Sequence, residues 1–156
     1  MKVLREGIAT AGLLFITLTM AKFYRALPPI IATHFGASGA ADGWGDKSSL
    51  WVLVGVTFAL YAALTAVPYL PERFINLPVR AEQRAAAMPI AMEMIGWIKV
   101  ETVSIFVWLV WSTVSVARGF STGLSPLFLP VVIVVELVMV VLTFWRTMQA
   151  GGSAST

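Results

Sequence analysis

Residues 50–70 read LWVLVGVTFALYAALTAVPYL, an unbroken apolar run without one charged side chain. About 20 such residues cross the ~30 Å hydrocarbon layer of a bilayer as a helix. Three more apolar stretches lie outside it: about Gly7 to Ala26, Pro89 to about Ala117, and Pro126 to Trp145. Backbone polar groups in lipid must be satisfied within the segment, so helices are the default. None of the stretches has the period-2 alternation of a membrane barrel strand. The reading is an all-α integral membrane four-helix bundle over residues 1–149, with a long ordered loop between helices 1 and 2 and a small polar tail, 150–156, read as disordered.

Composition agrees. The chain is 58% hydrophobic and 12% charged, half the ~25% of a soluble domain. Net charge is +3 with scattered basic residues, which is no nucleic-acid footprint. Cysteine is absent, so disulfides, thiolate chemistry and Cys-ligated metals are excluded. No glycine motif for phosphates or dinucleotides is found. Lys2 and Arg5 precede the first run as in a signal peptide, but Lys22-Phe23-Tyr24-Arg25 follows it where small residues would mark cleavage, so a retained first span is expected. Lys2, Arg5, Arg73, Arg80, Arg84 and Arg146 fall on the side of the termini, and Lys22, Arg25, Lys47 and Arg118 on the other. Six against four favours cytoplasmic termini in a bacterial inner membrane, with the first loop facing outward.

That loop, YRALPPIIATHFGASGAADGWGDK over residues 24–47, holds the sole histidine, two acids, one tryptophan and four glycines. Loops on rigid scaffolds carry function disproportionately. Pro28-Pro29 ends the first helix, and Asp42-Gly43 is a turn signal. Trp44 suits a headgroup region. For His34, Asp42 and Asp46 three readings stand: side chains that hydrogen-bond the loop into one shape, a surface for a ligand or peptide, or a cation or catalytic site. One His with two carboxylates fits no zinc motif, so neither metal nor cofactor is expected.

Leu27-Pro28, His34-Phe35, Gly39, Asp42-Gly43-Trp44 and Lys47 together resemble the signature of a bacterial membrane domain of unknown function, found in the N-terminal part of SdpI-type immunity proteins. Ala32 stands where that family usually has proline, and Gly36 where it often has asparagine. Asn76-Leu77-Pro78 resembles the family's Asn-x-Pro segment after the second span. The resemblance covers residues 24–78, about a third of the chain. SdpI-type proteins protect cells from a secreted toxin and take part in sensing it. The resemblance implies a ligand- or partner-binding set of His34, Phe35, Gly39, Asp42, Gly43, Trp44, Lys47, Asn76 and Pro78.

Four polar residues are placed in or beside the spans: Lys22, Lys99, Glu101 and Glu136. Glu136 sits mid-span, where a charge costs about 2.5–3.5 kcal/mol on insertion scales, so it should be neutral, paired or facing a cavity. Lys22 and Lys99 are candidate partners for it. Lys99 and Glu101, two residues apart, point to different helix faces. Met88, Met92 and Met94 read as packing rather than a copper site. No nucleophile set is found, which argues against an enzyme. The expected function is a membrane binding or sensing protein that recognises a peptide, lipid or partner protein through the loop. The alternatives are an accessory subunit of a larger complex, or a proton- or cation-coupled transporter or enzyme using Glu136 or His34. Bilayer lipid is an expected partner, and homo-oligomerisation is left open.

Overall fold

The computed structural model describes residues 1–77 and 79–152. The order is α1 (Lys2–Phe23), β1 (Ile30–Phe35), β2 (Ala41–Asp46), α2 (Ser49–Ala66), α3 (Arg84–Ala117) and α4 (Phe128–Gly152), with short 3-10 turns at Tyr24–Ala26, Val67–Tyr69, Glu72–Phe74 and Ala81–Gln83. All four α-helices are long and apolar enough to span a membrane. The all-α bundle with an ordered first loop is therefore found. The loop carries a two-stranded antiparallel sheet that was not read from the sequence.

Helix α3 starts five residues before Pro89, the expected start. The first turn of a helix has no intrahelical acceptors for its N–H groups, so a proline just past it removes only one hydrogen bond. Its 34 residues make it the hub, packed against α1, α2, α4 and strand β1. Two apolar cores result. Ala9, Leu13 and Val103 fill the lower one between α1 and α3. Ile16, Met20, Leu27, Leu50, Val54, Val110 and Val114 fill the upper one, and Ile31 of β1 inserts among them with no exposure. Burying a side chain of that size stabilises by about 1.5–3 kcal/mol against water. Ile31 thus fastens the hairpin to the end of the bundle. Helix α4 docks mainly on α3, and only 6% of its apolar window is buried inside the protein.

The turn also differs from expectation. Asp42-Gly43 lies inside β2, and the chain reverses at Gly36–Gly39. Register shifts flank His34, which pairs with Gly43. A side chain at Gly43 would approach Cβ of His34 to 2.8 Å, so the glycine serves close strand passage, not a turn. Within the hairpin it is Gly39 that adopts a positive φ, +83°, which costs other residues about 1–2 kcal/mol.

Candidate functional site

The hairpin is fastened at both ends. At its base the Lys47 ammonium donates to the Leu27 carbonyl at 3.1 Å and lies 5.2 Å from the centre of the Tyr24 ring. The Lys47 N–H donates to the Pro29 carbonyl at 2.9 Å. At its tip the Leu124 N–H donates to the Gly39 carbonyl at 2.7 Å, and Ala40 bridges Gly123. The tip is thereby joined to the α3–α4 connection. Between them lies a cavity of about 260 Å³, lined by His34, Phe35, Gly39, Leu124, Pro126 and Phe128 among others.

His34 is held by its Nδ1, 2.5 Å from Asp42 Oδ1. Its side chain is still 72% exposed. A carboxylate on one ring nitrogen selects the tautomer and leaves Nε2 as the working atom. Trp44, 58% exposed, faces outward without lining the cavity. Asp46 accepts the Ser48 N–H at 2.8 Å, and that bond holds its carboxyl below the usual carboxylate range.

Of the nine loop and Asn-x-Pro residues, the structure brings His34, Phe35 and Gly39 to one cavity. Asp42 orients His34, Gly43 makes room for it, and Lys47 closes the base. Asn76 is exposed in the connection after α2, separated from the hairpin by the 18 residues of that helix, or about 27 Å of helix rise. One small ligand cannot touch both. Pro78 lies outside the described residues, as do 153–156 of the tail.

The intramembrane set is rearranged. Lys99 does not reach Glu136. Its ammonium, 3% exposed, donates to both Glu6 carboxylate oxygens at 2.6 and 2.7 Å and to the Thr65 hydroxyl at 3.2 Å, with the Tyr61 ring centre 5.0 Å away. Lys22 lies exposed over the Phe23 ring, at the hairpin end of α1. Neither expected partner of Glu136 is one. Glu93 instead joins Arg146 of α4 at 2.8 Å and Arg5 of α1 at 3.3 Å. Arg5 holds it by charge rather than an aligned hydrogen bond, and its guanidinium also lies over Trp97. Gly96 leaves room for this side chain: a Cβ there would lie 2.8 Å from Arg5 Nε. This ionic layer, built on Glu6, Arg5, Glu93 and Arg146, was missed in the sequence. The signal was a balance of charge: lone bases inside spans demand acids, and Glu6 stands beside Arg5.

Fold and site define a multi-pass helical membrane protein with an ordered hairpin over one end of its bundle. Residues 11–58 match the family model described as a domain of unknown function, DUF1648. The matched span runs from α1 through the hairpin into α2 and takes in the loop signature, consistent with a membrane domain of unknown function; Asn76-Leu77-Pro78 falls beyond it. No curated protein and no solved structure matches the chain.

Proposed function

We propose that this protein is a binding or sensing protein of the bacterial inner membrane, with the 28–47 hairpin as its recognition element. One observation carries the reading. The hairpin is anchored by Ile31, Lys47 and the Gly39–Leu124 bond, yet leaves His34 exposed on a cavity of about 260 Å³ and Trp44 exposed on its outer face. A rigid support that presents free polar and aromatic groups is what a binding surface requires. The ligand class is a peptide, a lipid headgroup or a partner protein, and kinship with SdpI-type immunity proteins is the loop-signature version of the same reading. Capture from native membranes tests it, with wild type beside a His34→Ala/Asp42→Ala/Trp44→Ala variant of equal thermal stability. A partner held by wild type and lost by the variant supports the reading, and equal capture by both removes it.

The hairpin would face outward, with both termini cytoplasmic, as the distribution of basic residues favours. Because the chain lacks cysteine, Ser38→Cys supplies a single thiol at the exposed hairpin tip. A membrane-impermeant maleimide added to intact cells, or to spheroplasts, should label it. Labelling only after membrane disruption would reverse the orientation.

A second reading, a small subunit of a larger membrane complex, is favoured by the sparse burial of α4. Native mass analysis after mild extraction separates the two. A stable companion polypeptide kept by the triple variant supports the subunit reading.

A further inference from the structure

Pairing the ionic layer leaves two acids over. Among the described residues the bases Arg5, Lys99 and Arg146 are matched to Glu6 and Glu93, while Glu101 and Glu136 have no ion-pair partner. Both carboxylate oxygens of Glu101 are buried and accept no hydrogen bond. Glu136 is exposed on α4, at mid-span.

The helix register places them together. The rings of Trp108 and Phe128 meet edge to face at 5.1 Å, fixing α3 against the start of α4. Seven residues back along α3 reach Glu101, and eight residues forward along α4 reach Glu136. At 1.5 Å per residue both lie about 11–12 Å below the ring pair. Between the helices, at this depth, lies an open cavity of about 310 Å³. Its walls include Trp97, Glu101, Trp108, Phe128, Val132 and Met139. Val132 and Met139 stand four before and three after Glu136 on α4, so Glu136 stands next to this wall without lining it.

Aromatic faces and a carboxylate in apolar surroundings attract an organic cation, through the ring quadrupole and through charge. Two ionised carboxylates without a base are costly in lipid. They are stable there as the protonated acid or beside a cation. The volume matches small-molecule sites of about 300–1,000 Å³ rather than a docked helix. We infer that the α3–α4 cavity is a binding site for a lipophilic cation, a membrane-soluble amine or quaternary onium ion. Trp108 and Phe128 supply the walls, with Trp97, whose ring also faces Arg5, at one end, and the cation takes the place of a proton on Glu101 beside Glu136.

Equilibrium dialysis of tetraphenylphosphonium against the purified chain in lipid nanodiscs tests this, with neutral triphenylphosphine oxide as the shape control. Saturable binding of the cation, absent for the oxide, is expected. Its affinity should rise with pH where the acids titrate, by up to about tenfold per pH unit for one displaced proton. Glu101→Gln and Glu136→Gln should each weaken it by about tenfold, the loss of one charge-assisted contact. Glu101→Asp, which keeps the charge, should retain most of the affinity, so a lost site is distinguished from a lost fold. No saturable binding at any pH, equal binding of the oxide, or unchanged affinity in both Gln variants would overturn the proposal. So would a companion polypeptide that co-purifies only while Glu136 is present and blocks the cation.

Discussion

At Asp46 one side chain closes the turn from the hairpin into α2. It is the last residue of β2, and its carboxylate accepts the N–H of Ser48, the residue just before the helix. The backbone bond, then the Ser48 hydroxyl, hold the folded carboxyl below its ordinary value. A carboxyl lowered by folding contributes stability above the unfolded value and loses it as pH falls through the folded one. The difference in thermal midpoint between wild type and Asp46→Ala should therefore be flat from neutral pH down to about pH 5, and shrink below about pH 4. A difference that grows on acidification would show that the carboxylate opposes the folded state. Trp44, by contrast, is 58% exposed, and its side chain makes no hydrogen bond to the described residues of the hairpin. Trp44→Ala should leave the thermal midpoint nearly unchanged, which makes it the cleanest variant for separating recognition from folding.

At the scale of elements, the hairpin rests on its tip. Gly39 combines a φ of +83° with the close approach of the Leu124 carbonyl, 2.5 Å from where a Cβ would stand. Gly39→Ala should cost about 1–2 kcal/mol for backbone strain alone and release the tip from the α3–α4 connection. Hydrogen exchange checks this: the Leu124 amide should lose protection while the amides of α2 keep theirs. Equal protection in both chains would mean that Ile31 alone seats the hairpin. The same element marks what the sequence makes legible. The four spans are readable because the bilayer imposes length and excludes charge, as in residues 50–70. An ordered loop was readable from its histidine, glycines and prolines. The strands were not, because the strongest turn pair, Asp42-Gly43, is used to pass His34, and the real turn at Gly36–Gly39 is fixed by a bond to Leu124, 85 residues away in the chain. Local turn preference yields there to a tertiary contact.

For the whole molecule, the ionic layer decides how the helices hold together. The Lys99–Glu6 pair spans 93 residues and could not be assigned from spacing. What could be read is that Lys99, inside a span, needs an acid, and the nearer choice in the chain, Glu136, was the wrong one because Lys99 faces α1, where Glu6 takes it up. The pairs differ in their surroundings. Lys99 is 3% exposed and Glu6 38%, so the lysine is the member that depends on its partner. Glu6→Gln leaves a buried ammonium with a hydroxyl, an amide and the Tyr61 ring. It should cost about 3 kcal/mol, at the low end of the range for breaking a buried pair because Glu6 keeps water. Lys99→Met removes the buried charge and leaves Glu6 able to reach solvent, so it should cost less. The double variant Glu6→Gln/Lys99→Met should recover most of the loss of Glu6→Gln. Unfolding midpoints in one detergent, followed by circular dichroism, measure all three. If the double variant is as unstable as the sum of the singles, the pair acts as two independent contacts, and charge matching is not what joins α1 to α3. If it recovers, the layer works by cancelling charge in lipid, and Glu101 and Glu136 stand out as acids of α3 and α4 without an ion-pair partner among the described residues.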